Sequence, residues 1–79
     1  MKLIIRYWGV LTELAGCTEE ELDLNSGFTV TSLNNRLITN YPAFKGIPLI
    51  FFTRGKIING NYTIPEGMEI DCMPPFSGG

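Results

Sequence analysis

Residues 29–42 read TVTSLNNRLITNYP, and this stretch determines which folds the rest of the sequence can adopt. Its apolar side chains recur at helical spacing, which is typical of a helix with one face on a core. They are Val30, Leu33 and Leu37, with Ile38 and Tyr41 beside them. Thr29 suits the N-cap, although Ser32 stands where the glutamate of a capping box would reach back, and Pro42 stops the helix. We therefore predict one long helix that covers a sheet.

Five segments around this helix have the composition or alternation of β-strands. They are residues 2–8 (KLIIRYW), 19–24 (EEELDL), 48–53 (PLIFFT), 57–58 (II) and 68–73 (MEIDCM). Residues 9–16 (GVLTELAG) predict a short helix that Gly16 closes. One long helix on one face of a mixed sheet of four to five strands is an α+β arrangement, and the β-grasp (ubiquitin-like) fold fits this order best. We expect the domain at residues 1–73 and an extended, flexible tail at residues 74–79.

The composition is that of a small folded domain. Of the 79 residues, 44% are hydrophobic and 18% are charged, and the apolar runs are too short for a membrane span or a signal peptide. The formal net charge is −2 and the six basic residues are scattered, which argues against nucleic acid as the main ligand. We therefore expect a cytoplasmic protein without a membrane or nucleic-acid partner.

The side chains available for catalysis are few. Histidine is absent, so the group most used for acid–base catalysis near neutral pH is missing. Cys17 and Cys72 have no CxxC neighbour and form neither a disulfide framework nor a usual zinc site. We expect Cys72 in the core and the acidic run Glu19–Glu21 on a solvated strand face rather than at a metal. The sequence therefore argues against an enzyme that acts alone, and against a bound metal.

Residues 72–79, CMPPFSGG, carry the strongest functional signal. Pro74 and Pro75 end the last strand and favour an extended path for the residues that follow. Six extended residues reach about 20 Å, and Gly78 and Gly79 fit a slot that excludes any side chain. The simplest alternative is a frayed terminus of small residues. In the functional interpretation, the α-carboxylate of Gly79 reacts after a partner adenylates it with ATP.

The whole chain resembles the small subunit of molybdopterin synthase, a ubiquitin-like sulfur carrier. Residues 7–16 (YWGVLTELAG) are similar to that family's first strand and following helix, and residues 29–42 resemble its Thr-Val-x-x-Leu helix with a terminal Tyr-Pro. Residues 64–79 (IPEGMEIDCMPPFSGG) resemble its ending, in which Pro-Pro-x-Ser-Gly-Gly is the most specific element. Related carriers of the thiazole pathway also end in Gly-Gly but usually lack the double proline.

The resemblance implies a role for the tail. An E1-like enzyme would adenylate Gly79, a persulfide relay would convert it to a thiocarboxylate, and a larger catalytic subunit would pass the sulfur to a pterin precursor. Gly78 would clear the channel of that subunit, with Ser77 and Phe76 threading behind it. The chain itself would be non-catalytic and would bind no cofactor, while its activating partner uses ATP.

Other functions remain open on the same residues. The thiocarboxylate would equally serve thiamine thiazole synthesis or tRNA thiolation, and Gly79 joined to lysines would make the chain a protein modifier. An inert tail on a β-grasp interaction module is a further alternative. Thr12, Arg54 and Met68 depart from the family's usual Arg, Asn and Asp, and they point to partners of a divergent branch or to a tungsten pathway.

A surface for partners is predicted where the first and last strands meet the tail. Alternation places Trp8 outward on the first strand and Met73 outward on the last, and these strands are parallel neighbours in a β-grasp fold. An exposed apolar cluster of this kind marks a partner site, whereas the alternative is a lone exposed tryptophan or a twisted core. The residues of the predicted interface are Trp8, Ile57, Met73, Pro74, Pro75 and Phe76.

Overall fold

The secondary structure follows the predicted order along the chain. The computed structural model describes residues 1–76, so the predictions for Ser77, Gly78 and Gly79 lie outside the described residues. The elements are β1 (Lys2–Tyr7), α1 (Val10–Ala15), β2 (Glu19–Asp23), α2 (Val30–Asn40), a 3-10 turn (Pro42–Phe44), β3 (Ile50–Thr53), β4 (Lys56–Ile58) and β5 (Glu69–Met73). In the part of the chain that is described, neither helix has the length and apolarity needed to cross a membrane.

The five strands form one mixed sheet in the order β2-β1-β5-β3-β4. β1 and β5 are parallel, with Ile5 opposite Ile70, and the other pairs are antiparallel. A parallel pair at the centre requires a long crossover between the two halves of the sheet, and the segment that contains α2 provides it. This is the β-grasp fold, and the predicted α+β class is confirmed.

The core lies between α2 and one face of the sheet. Val30, Leu33 and Leu37 of α2 are buried, as their helical spacing predicts. From the sheet, the alternating residues of β1 and β5 point into the same layer, and the buried members include Leu3, Ile5, Tyr7, Ile70 and Cys72. Cys72 is therefore a core residue, as expected, and burial raises the pKa of its thiol to about 12.

The helix ends are closed by the residues that the sequence indicates. The Thr29 side chain accepts a hydrogen bond from the backbone N–H of Ser32 at 3.2 Å, and α2 ends at Asn40, two residues before Pro42. Gly16 follows α1 in the left-handed conformation with φ 76°, where its N–H donates to the carbonyl of Thr12. Local sequence thus sets the length of both helices.

Glu20 departs from the expectation for the acidic run. It shares the inward parity of β2, and its Oε2 accepts hydrogen bonds from the hydroxyls of both Tyr7 and Tyr41, the former at 2.5 Å. The rings of Tyr7 and Phe44 pack edge to face with centroids 5.7 Å apart. The solvated-face interpretation therefore holds for Glu19 and Glu21 but is wrong for Glu20, which joins β1, β2 and the end of α2.

This tyrosine network predicts that the free energy of unfolding falls at alkaline pH. Burial, and then the hydrogen bond to the Glu20 carboxylate, raise the pKa of Tyr7 well above its ordinary value. A tyrosine in the unfolded chain ionises near pH 10, whereas Tyr7 in the folded chain keeps its proton above that pH. The contribution of the protonated Tyr7 hydroxyl to the free energy of unfolding is therefore complete below about pH 10. Above that pH it is lost at up to about 1.4 kcal/mol per pH unit.

We predict that Tyr7→Phe lowers the free energy of unfolding by about 1 kcal/mol at pH 7, because the hydroxyl no longer donates to Glu20. The same variant should lose stability less steeply than the wild type above about pH 10. Chemical denaturation at pH values from 7 to about 11 measures both effects. Tyr62→Phe, which removes an exposed hydroxyl, is the control at pH 7. An unchanged alkaline slope in Tyr7→Phe would contradict the prediction.

The turn between β3 and β4 holds a strained residue. Thr53 and Lys56 are paired across a two-residue loop, and both loop residues have positive φ, 52° for Arg54 and 76° for Gly55. These angles match the type I′ turn that suits the twist of a hairpin, in which asparagine is favoured at the first position. Arg54 therefore adopts a conformation that an ordinary side chain disfavours.

We predict that Arg54→Asn raises the free energy of unfolding by roughly 0.5–1 kcal/mol, because asparagine tolerates the left-handed conformation. Thermal or chemical denaturation is the measurement. Lys45→Asn is the matched control, since it also replaces an exposed basic residue by asparagine, but at φ −62°. Equal effects of the two substitutions would show that lost charge, rather than turn geometry, is responsible.

Candidate functional site

The root of the tail is anchored beside the end of β1. Because β1 and β5 are parallel, both leave the sheet at the same edge, β1 into Trp8 and β5 into Pro74. The backbone N–H of Trp8 donates to the carbonyl of Cys72 at 3.1 Å, and its indole Nε1 donates to Asp71 Oδ1 at 2.9 Å. Two hydrogen bonds therefore hold Trp8 against the last residues of β5.

An apolar groove opens next to Trp8 on the sheet face that α2 does not cover. Ile50 lies opposite Met73 in the β3–β5 ladder, so β3 supplies one wall of the groove and β5 with the tail supplies the other. The groove has a volume of about 560 Å³, within the roughly 300–1,000 Å³ of ligand-binding sites. Its lining, called here the tail-root groove, consists of Trp8, Gly9, Ile50, Phe52, Met73, Pro74, Pro75 and Phe76.

The structure brings most of the predicted interface residues together. Trp8, Met73 and Phe76 are 48%, 36% and 53% exposed, which is unusual for large apolar side chains. With Pro74 and Pro75 they belong to the lining of the tail-root groove. Their predicted contact with partners stays a prediction.

Ile57 is placed differently from the other predicted residues. It lies opposite Phe52 on the edge strand β4 and is 61% exposed, but it does not line the tail-root groove. It lines a second cavity of about 340 Å³ between the start of α2 and the β3–β4 hairpin. Because Ile57 is paired with Phe52, it lies on the same face of the sheet as the groove, one strand further from Trp8.

Sequence reasoning missed three residues of the groove. The segment PLIFFT predicts a strand but not which of its residues face outward; the burial of Phe51 places Ile50 and Phe52 on the opposite, outward face. Gly9 gave no signal beyond its place between a strand and a helix. Its role follows only from the distance between two chain segments that are far apart in sequence.

Gly9 allows the tail to pack directly on the backbone. It has φ 58° and ψ −139°, a combination that L-residues rarely adopt. A Cβ built at this position would lie 3.3 Å from Pro74 Cγ and 3.6 Å from its Cδ. The backbone angles therefore favour glycine where the tail leaves the sheet, and a side chain here fits only if Pro74 shifts by a few tenths of an ångström.

The charged half of the same sheet face is internally paired. Arg6 pairs with Glu69 at 2.5 Å and with Glu19 at 3.4 Å, and these hydrogen bonds and charges raise the pKa of Arg6. Lys2 pairs with Glu21 at 3.1 Å. None of the residues that line the tail-root groove has a titratable side chain. The groove thus offers contact and shape, and any group transfer nearby depends on other groups.

The chain belongs to the ThiS family, whose sequence model matches residues 5–79. Members of this family are sulfur carriers that do not themselves catalyse a reaction, and they bind no cofactor themselves. The predictions of a ubiquitin-like sulfur carrier, of a non-catalytic protein and of no bound cofactor are therefore confirmed. No curated protein matches the chain.

Solved structures share the fold at low sequence identity. A protein from Pyrococcus furiosus, assigned as molybdopterin converting factor subunit 1, superposes with a TM-score of 0.88 at 21% identity, over 96% of this chain and 99% of that one. The small archaeal modifier protein 1 of Haloferax volcanii gives a TM-score of 0.82 at 20% identity, over 100% of this chain and 100% of that one. A chain in the Helicobacter pylori complex of subunits 1 and 2 of molybdopterin-converting factor gives a TM-score of 0.68 at 20% identity, over 100% of this chain and 100% of that one.

We predict that Gly9→Ala destabilises the chain by about 1–3 kcal/mol, because a side chain at positive φ is strained and its Cβ crowds Pro74. Gly16→Ala is the matched control: Gly16 also has positive φ, 76°, but no atom lies within 4 Å of its Cβ position. Chemical denaturation compares the two, and chemical shifts of Pro74 and Trp8 report the tail root. Equal losses in both variants would remove the specific contact from the explanation.

Proposed function

We propose that this chain is the sulfur-carrying small subunit of a molybdopterin synthase and that the α-carboxylate of Gly79 is its working group. The observation that carries the proposal is the family match, which extends through the Pro-Pro-Phe-Ser-Gly-Gly segment at residues 74–79. The proteins from Pyrococcus furiosus and Helicobacter pylori, which share the fold, are named for molybdopterin conversion. The double proline favours this branch over the thiazole carriers.

The chemistry needs no side chain from this protein. A Gly79 carboxylate oxygen attacks the α-phosphate of ATP in an E1-like enzyme, pyrophosphate leaves, and an acyl-adenylate forms. A persulfide sulfur then displaces AMP and leaves a thiocarboxylate after reduction of the sulfur–sulfur bond by a thiol. The large subunit delivers this sulfur to the pterin precursor, and water restores the carboxylate.

The described residues support two parts of this cycle. Pro74 and Pro75 restrict the backbone at the point where the tail leaves β5, which lowers the entropy that is lost when a partner binds the tail. The exposed Trp8 and Phe76 beside them offer the aromatic contacts that dominate protein interfaces. The E1-like enzyme and the large subunit would use this surface in turn, because each must hold the same tail.

Protein modification is the second candidate. The small archaeal modifier protein 1 matches this chain along the full length of both, and its name describes a modifier. The same Gly79 adenylate, attacked by a lysine amine rather than by sulfur, would give an isopeptide bond. The two functions share every step up to the adenylate, so products rather than structure separate them.

We predict that protein isolated from its own cells contains a fraction heavier by the difference between a sulfur and an oxygen atom, assigned to Gly79 by intact mass and fragmentation. One alanine added after Gly79 should abolish this species without changing the melting temperature, because the reacting carboxylate is displaced. The matched control carries the same alanine before Met1. A sulfur-loaded extended variant would overturn the proposal, and lysine adducts in place of the thiocarboxylate would favour the modifier.

A further inference from the structure

Asp71 borders the tail-root groove and has no ion-pair partner among residues 1–76. It lies on the outward face of β5, two residues before Met73, and is paired in the ladders with Phe52 of β3 and Arg6 of β1. Its Oδ1 accepts the indole N–H of Trp8 at 2.9 Å. The carboxylate therefore stands between the apolar and the charged halves of the sheet face.

The other carboxylates on this face have cations, and Asp71 does not. Glu19 and Glu69 share Arg6, which lies opposite Asp71 in the β1–β5 register but is directed to these two groups. Glu21 pairs with Lys2, and Asp23 pairs with the N-terminal ammonium at 3.3 Å. Within residues 1–76, no ion pair involves Asp71, and the Trp8 indole is the one side-chain donor that its carboxylate has there.

A partner that covers the groove and extends over the adjoining Asp71 removes this carboxylate from water. A carboxylate that is desolvated with a single hydrogen bond is strongly unfavourable, whereas one that meets a cation in the same interface is tolerated. The partner surface must therefore be apolar where it meets Trp8 and Met73, and cationic where it meets Asp71. Charge complementarity of this kind fixes the register of two surfaces more than it adds affinity.

We propose, resting on the proposed function, that the partner which holds the tail inserts one arginine guanidinium against Asp71. Arginine fits better than lysine because Trp8 donates to the carboxylate and Phe52 lies opposite Asp71 in the β3–β5 ladder, and a planar guanidinium stacks on aromatic side chains. Trp8 occupies Oδ1, and Oδ2 accepts from the guanidinium. The groove thus recognises an apolar surface that is built around one arginine.

Small probes test this surface without a partner. Benzylguanidine carries an aromatic ring and a guanidinium, and benzylurea is its neutral counterpart of nearly the same shape. Each is titrated into the isotope-labelled full chain at low salt, and signals of the Trp8 indole N–H and the Met73 methyl report occupancy. We expect benzylguanidine to bind about three- to five-fold more tightly than benzylurea, a preference that falls as salt is added.

The Asp71→Asn variant should abolish this preference, because the amide oxygen still accepts from Trp8 while the charge is gone. Asp23→Asn is the matched control, since it removes a carboxylate from the outer strand of the same sheet. Equal binding of both probes by the wild type, or a preference that survives Asp71→Asn, would overturn the proposal. Either result leaves the mass test at Gly79 unaffected, so the failures of the two proposals are distinguishable.

Discussion

The parallel pairing of β1 with β5 is the constraint on which the rest of the structure depends. It joins the two ends of the chain at the centre of the sheet, with Ile5 against Ile70 and Tyr7 against Cys72. All four of these side chains are buried, so a register shift of one residue would turn the core residues of the shifted strand to solvent. The register is therefore fixed by burial, and with it the place where the tail leaves the sheet.

From this register follows the construction of the tail root. The ladder continues one step past β1 through the hydrogen bond from the Trp8 N–H to Cys72, so Trp8 stands beside the last residues of β5. The chain must then turn at once into α1, and Gly9 makes that turn where Pro74 approaches most closely. One side of the tail-root groove and the point where the tail leaves the sheet thus depend on the same pair of strands, while β3 supplies the other side of the groove. The tail root is thus built from contacts between residues far apart in sequence, and it adjoins the buried core.

Much of this fold could be predicted from the sequence because its signals are local. The periodicity of Val30, Leu33 and Leu37, the cap at Thr29 and the stop at Pro42 all act within a few residues, and each is found as predicted. The alternation of the strands is equally local, and it placed Trp8 and Met73 on the outward face.

What could not be predicted depends on which strands lie side by side. Glu20 looked like part of a solvated run because its partners, Tyr7 and Tyr41, come from two other elements. The position of Ile57 next to Phe52 rather than Trp8 required the strand order, and the need for glycine at position 9 required the distance to Pro74. Period and propensity contain no information on such neighbours. The residues near the tail could therefore be predicted, whereas Gly9, Ile50 and Phe52 of the groove lining could not.

The departures from the family's usual residues are explained in part within the chain. Thr12 donates its hydroxyl to the carbonyl of Tyr7 at 3.0 Å and so closes the turn between β1 and α1. Met68 packs against the core, where an aspartate would lose its hydration without a partner. Arg54 lies in the β3–β4 turn, directly after the strand that supplies one wall of the groove. The chemistry proposed for Gly79 uses no side chain of this protein, so substitutions that act on local folding would leave it unchanged. Under the proposed function, divergence would therefore fall on the surface that meets partners, and the tail would be the part with least freedom to change.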